Sequence, residues 1–162
     1  MSPPRVFGIT GWKNAGKTTL TERLVAEFVR RGWRVSTIKH AHHDIDIDRA
    51  GTDSYRHRAA GAAEVALVGG LRYAIMHETP EPSLSDVLAR LSPADLVLIE
   101  GYKREPHLKI EVRASPEAEP LAPADPAIVA IAADHQPRDG GLPCFRRDDI
   151  AAIADFIATR IG

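Results

Sequence analysis

Apolar positions recur along this chain in two rhythms, and their alternation predicts strands and helices in turn. Residues 5–10 form a short apolar run stopped by Gly11, which reads as a strand. Leu20, Leu24, Val25, Phe28 and Val29 then fall at helical spacing within residues 18–31, and Gly32 supplies the stop. Residues 33–38 read as a second strand. Strand, helix, strand is the βαβ unit of a parallel sheet.

The polar stretch 39–52 is too acidic and histidine-rich to be core. Asp53 is placed to cap a short helix running to about Ala60. Residues 63–68 and 71–77 read as two strands of a hairpin about Gly69-Gly70. Ser83 or Ser85 caps a helix through Leu91, ahead of Pro93. Leu96-Val97-Leu98-Ile99 is a buried type of strand, closed by Glu100-Gly101. Residues 108–112 alternate apolar and charged side chains, which predicts a half-buried strand. Residues 114–126, rich in Pro, Ala and Glu, read as a mobile surface loop. A further buried strand covers 127–133, and Asp148 or Asp149 caps a last helix with Ile150, Ile153, Ile157 and Ile161 on one face. With no repeat and no linker, the pattern predicts one domain over 1–162, a three-layer α/β fold with a mostly parallel central sheet.

Composition narrows this only a little. The 162 residues are 44% hydrophobic and 27% charged, which is enough apolar material for a core without staples. The net charge of −1 gives no general attraction for a polyanion, so nucleic acid is not an expected partner. A lone cysteine, Cys144, excludes an internal disulfide and fits a reducing compartment. No apolar run approaches the ~20 residues of a membrane helix, and the start lacks the apolar stretch of a signal peptide. The expectation is a cytoplasmic protein with no membrane partner.

Chemistry enters at Gly11-Trp12-Lys13-Asn14-Ala15-Gly16-Lys17-Thr18, which satisfies the P-loop pattern G-x-x-x-x-G-K-[ST]. Glycines let such a loop wrap tightly with its amides turned toward phosphate oxygens. The helix that follows adds unsatisfied N–H groups and a partial positive charge of roughly +0.5. Lys17 is placed to reach the β- and γ-phosphates, the Thr18 hydroxyl to ligate Mg²⁺, and Thr19 to reach the α-phosphate side. The motif makes the predicted fold that of a P-loop NTPase. Lys13 adds a charge that either touches phosphate or is merely solvated, and Trp12 reads as packing for the loop.

Such a loop also needs a carboxylate at a neighbouring strand end, for the metal. Glu100 is that residue, with Gly101 behind it; Asp95 opens the same strand and lies at the wrong end. The stretch Lys39-His40-Ala41-His42-His43-Asp44-Ile45-Asp46-Ile47-Asp48 leaves the second strand at the edge where α/β proteins bind ligands. It reads three ways: a nucleotide-linked loop whose carboxylates join the Mg²⁺ shell, Asp46 among them; a Zn²⁺ or Ni²⁺ site; or a solvated loop.

The P-loop ending Gly16-Lys17-Thr18-Thr19-Leu20, the run Ile38-Lys39-His40-x-His42-His43-Asp44 and Gly51-Thr52-Asp53-Ser54-Tyr55-Arg56 together resemble the MobB family. So do Ala60-Gly61-Ala62 and Leu98-Ile99-Glu100-Gly101-Tyr102-Lys103. The resemblance implies a homodimeric GTP-binding adapter of molybdopterin guanine dinucleotide biosynthesis, with slow intrinsic GTP hydrolysis. Its implied partner is the guanylyltransferase MobA, which attaches GMP to the molybdenum cofactor; contact with the molybdopterin cofactor itself is a further implication. Carried over, residues 11–19 bind GTP phosphates, Glu100 serves Mg²⁺, and His40, His42, His43 and residues 44–48 line the site. Asp53 and Arg56 anchor that loop by an i,i+3 ion pair. Lys103 and Arg104 meet an anionic pterin phosphate. Lys13 departs from the family's small residue, and no N-K-x-D run is present to read guanine. Two other classes compete: a nickel or zinc metallochaperone GTPase using His40, His42 and His43, and a small-molecule kinase or ATP-dependent ligase.

Overall fold

A computed structural model of the protein describes residues 4–162. They form two compact units, one made of the chain up to His40 with Leu91–Gly162, the other of Ala41–Arg90.

The first unit is a six-stranded sheet. Its strands are β1 (Val6–Thr10), β2 (Val35–Lys39), β5 (Leu96–Glu100), β6 (Lys109–Arg113), β7 (Ile128–Ala133) and β8 (Cys144–Phe145), in the order β2-β5-β1-β6-β7-β8. Every pairing is parallel. All the C-terminal strand ends therefore lie along one edge, where ligands of open α/β sheets bind. Helices α1 (Lys17–Arg30) and α4 (Ile150–Ile161) cover one face. Their apolar stripes, Leu20, Leu24 and Phe28 from α1 and Ile153, Ala154 and Ile157 from α4, meet Phe7, Ile9, Leu98, Ile110 and Val112 of the sheet. A fully buried side chain such as Phe28 contributes about 1.5–3 kcal/mol. Asp149 caps α4 by accepting the Ala152 N–H at 3.3 Å, as its position before the isoleucine stripe predicts.

The other face is covered differently, and here the half-buried reading of residues 108–112 is wrong. All five residues of β6 are buried, the charged ones included: Lys109 at 0%, Glu111 at 1% and Arg113 at 5% exposure. Alternation normally means one wet face. In this sheet β6 is central, and connecting segments cover its charged side. Glu111 accepts the backbone N–H groups of Leu121 at 2.9 Å and Ala122 at 3.0 Å. Arg113 donates to Glu111 at 2.7 Å and to both carboxylate oxygens of Asp139. The Lys109 ammonium donates to the Glu105 carbonyl and to Asp125. These bonds tie down the stretch expected to be a mobile loop, which also contains a 3₁₀ turn at Ala122–Ala124. β8 was not expected; two residues carry too little periodicity to register.

In the second unit, β3 (Glu64–Val68) and β4 (Tyr73–His77) pair antiparallel as a hairpin, with α2 (Asp53–Ala59) packed on β3. The turn is longer than Gly69-Gly70, since Gly69 N–H donates to Arg72 C=O and the strand resumes at Tyr73. Helix α3 (Leu84–Arg90) is capped by Ser83, whose hydroxyl accepts the Asp86 N–H while the Asp86 carboxylate accepts the Ser83 N–H, each at 3.2 Å. That reciprocity is a capping box. Thr52, not Asp53, takes the cap position of α2; Asp53 sits in the first turn, where its charge favours the helix dipole. Among the described residues no helix is long and apolar enough to cross a membrane.

Candidate functional site

The loop between β1 and α1 stands at the C-terminal edge of the sheet. Gly11 has φ of 148°, and a Cβ there would lie 2.6 Å from the Val112 carbonyl oxygen, so no side chain fits. Asn14 (φ 62°) and Gly16 (φ 100°) are left-handed, a conformation Asn and Gly tolerate. α1 opens on Gly16 with no side-chain cap and no acidic residue in its first turn. Its first amides are thus left for an external acceptor, and nothing negative on the helix competes for them. The Lys17 ammonium folds back onto the loop's own carbonyls, 3.0 Å from Gly11 and 2.7 Å from Trp12. Burial lowers its pKa first, the charge of Lys103 next, with Glu100 opposing and Lys39 adding to the fall.

Glu100 closes β5, the strand next to the edge strand β2, and is 8% exposed. The Thr18 hydroxyl donates to its Oε1 at 2.9 Å, and the Lys39 ammonium lies 3.8 Å from the same oxygen. A hydroxyl and a carboxylate so placed are a donor pair that suits a hard cation. Behind Glu100, Gly101 (φ 96°) lets the backbone pass His40, whose Cβ would be 3.1 Å from a Cβ at 101. The His40 N–H donates to the Glu100 carbonyl at 2.9 Å, and its ring stacks on Tyr102 at 4.3 Å. Tyr102 itself is left-handed (φ 51°), a strained state for a bulky residue. Thus Lys17, Thr18, Glu100 and His40 lie together. The side chains of Lys13, Asn14 and Thr19 are exposed to solvent.

Trp12 does more than pack. Its indole N–H donates to the Glu119 carbonyl at 2.7 Å, and the Lys103 ammonium sits 4.5 Å above its ring. That contact is a cation–π pair.

His42, His43 and Asp46 belong to the second unit, where all three are exposed. Asp46 pairs with Arg58 at 2.8 Å, and Asp48 with the same guanidinium at 2.9 Å. Arg58 also reaches Glu78 at 3.3 Å. Among the described residues no ion pair joins Asp53 to Arg56, so the acidic stretch is anchored by Arg58 instead. Arg58 lies ten or more positions from its partners, beyond any helical spacing rule, and only the fold brings them together. Among the described residues no group of three or more His, Cys, Asp or Glu is arranged to hold a metal ion. Arg147 also escaped the sequence reading: its guanidinium reaches the Ala15 carbonyl at 3.4 Å from a position 132 residues away.

Residues 6–134 match the family model for MobB, molybdopterin guanine dinucleotide synthesis protein B. The chain belongs to the MobB family. It is 41% identical over 155 residues to the molybdopterin-guanine dinucleotide biosynthesis adapter protein of Haemophilus influenzae, covering 94% of this chain and 86% of that one. The corresponding adapter protein of Escherichia coli is 36% identical over 160 residues, covering 94% and 90%. Among solved structures, a MobB protein homolog from Bacillus stearothermophilus superposes with a TM-score of 0.71 at 30% identity, covering 97% of each chain. The MobB fold, a P-loop NTPase-like α/β architecture, is therefore that of this chain. The match takes in the P-loop, Glu100-Gly101 and β6, and ends just after β7.

Proposed function

We propose that this protein binds GTP with Mg²⁺ on residues 11–19 and Glu100, and serves as an adapter in molybdopterin guanine dinucleotide biosynthesis. The observation that carries the nucleotide reading is the pairing of an uncapped helix N-terminus with an ammonium resting on the loop's own carbonyls. Triphosphate oxygens are better acceptors for Lys17 than the Gly11 and Trp12 carbonyls, and they take up the free amides of α1. The Thr18 hydroxyl and Glu100 would hold Mg²⁺, which when bound neutralises charge between the β- and γ-phosphates. Lys39 and Lys103 add positive charge near Glu100 and Trp12. That suits a second anionic group, such as a pterin phosphate.

Among the described residues none stands as a committed general base or arginine finger at the loop, and slow GTP hydrolysis is the activity we infer. The adapter role is supported by the relatives, whose names carry it. The partner is then a MobA-type guanylyltransferase. Co-precipitation with that enzyme tests this directly: recovery is expected to rise with GTP–Mg²⁺. Equal and negligible recovery with and without nucleotide would contradict the adapter role.

A homodimer is part of the same proposal. On the hairpin, the register puts Ala66, Val68, Tyr73 and Ile75 on one face, and the last three are more than half exposed. A second copy of the chain is the occupant proposed for that face. Sedimentation should give a dimer for the native chain and a shift toward monomer for Ile75→Lys; a native monomer would end this part of the reading.

A further inference from the structure

β7 and β8 run parallel, with Ile131 beside Cys144 and Ala132 beside Phe145. The residues that follow them, Asp134 and Arg147, therefore leave the sheet on the same edge as the phosphate loop. Arg147 grips Asp134 three times. Its backbone N–H donates to Oδ1 at 3.1 Å, its Nε donates to Oδ2 at 2.8 Å, and its Nη2 lies 2.7 Å from Oδ2 as an ion-pair contact. Its remaining nitrogen, Nη1, reaches the Ala15 carbonyl at 3.4 Å and stands 3.4 Å from where a Cβ on Gly16 would be. One guanidinium thus spans the shoulder of the phosphate loop and a half-exposed carboxylate. Hydrogen bonds from Arg147 hold the Asp134 carboxyl below its usual range, so it is ionised and acts only as an acceptor.

We propose that Asp134 and Arg147 form the nucleobase subsite, in which Asp134 accepts from the N1–H and 2-amino donors of guanine and so selects it over adenine. The inference rests on the triphosphate reading above and names its base. Geometry supports it, because a nucleotide leaving the phosphate loop past Ala15 and Gly16 meets Arg147 and then Asp134. Chemistry supports it as well. A carboxylate has about four acceptor directions, and hydrogen bonds from Arg147 occupy two, one on each oxygen. The two guanine donors take the two that remain, one on each oxygen. Adenine turns an acceptor nitrogen toward the same oxygens, which is repulsive. Arg147 is a positioning residue, holding the carboxylate at a fixed distance from the phosphate loop. The chain has no N-K-x-D run, and here two segments after different strands supply the acceptor and its support.

Calorimetric titration with GTP, ITP, XTP and ATP, each with Mg²⁺, tests the idea on the native protein and on Asp134→Asn. The native chain should prefer GTP, bind ITP more weakly for want of the 2-amino donor, and reject XTP and ATP by at least about a hundredfold. In Asp134→Asn the amide can donate to the 2-oxo group of xanthine, so the preference should turn from GTP toward XTP. Equal affinities of the native chain for all four would overturn the inference and leave the triphosphate site standing. So would an unchanged GTP-to-XTP ratio in a folded variant. No binding of any of the four would remove the triphosphate reading and this subsite with it. If Asp134→Asn does not fold, the native series with its missing donors still decides the matter.

Discussion

The two compact units place charge in opposite ways. In the sheet unit, Glu111 and Arg113 are almost wholly buried, and their partners are backbone amides and a third charged group, Asp139. In the unit Ala41–Arg90, charges stay near the surface, where Arg58 gathers Asp46, Asp48 and Glu78. There it is the apolar side chains that are exposed, Leu71 at 98% and Val68 at 75%. The first arrangement makes one rigid edge on which a loop and a carboxylate can be set to within a hydrogen bond. The second leaves an apolar surface suited to a partner. Charge on a strand therefore marks solvent only when nothing polar lies above it.

The sharpest way to break this contrast is Glu111→Ala. It removes two acceptors for buried amides and half of a buried ion pair, and should cost about 3–5 kcal/mol in denaturant unfolding. Glu111→Gln, which keeps an acceptor, should cost clearly less; equal losses would mean that the charge, not the amide caps, matters.

Lys17→Ala comes next. GTP affinity should fall at least about a hundredfold, ~2.7 kcal/mol, while stability changes little, because Lys17 holds only carbonyls that water can also satisfy. Unchanged affinity would remove the role given to Lys17. In the other unit, Arg58→Ala leaves the nearly buried Asp48 carboxylate unpaired and should cost about 1–2 kcal/mol. The local readout is faster proteolysis within residues 41–90.

The last effect concerns pH and is read as a slope. Burial pushes the His107 pKa from 6.5 down to about 4, with Lys109 adding to the fall. Between those values the unfolded chain binds a proton that the folded protein excludes. Stability should therefore fall as pH drops from about 6.5 toward 4, by less than one proton's worth, ~1.4 kcal/mol per pH unit. His107→Leu should flatten that slope. A slope unchanged in the variant would assign the effect to other groups.

Much of the fold could be read in advance, because its elements are long or strongly patterned. The β1–α1–β2 unit, the run Leu96-Val97-Leu98-Ile99 and the isoleucine stripe of α4 all declared themselves through apolar periodicity. The position of Glu100 at a strand end was legible from chain order. β6 was misread because alternation records side-chain type and not what lies above it. Arg58 and Arg147 were missed because their partners lie far away in sequence, and local spacing rules do not extend that far. Asp53 and Arg56 obey such a rule, yet no ion pair joins them among the described residues. A favourable spacing permits a contact, and the surrounding charges decide whether it forms.

The proposed function depends most on recognition of the phosphates by the loop between β1 and α1. The direct measurement is the affinity of the native protein for GTP, GDP and guanosine, each titrated with and without Mg²⁺. Affinity should climb with the number of phosphates, with Mg²⁺ strengthening GTP most and guanosine not at all. Guanosine binding as tightly as GTP, or no binding of either, would contradict it.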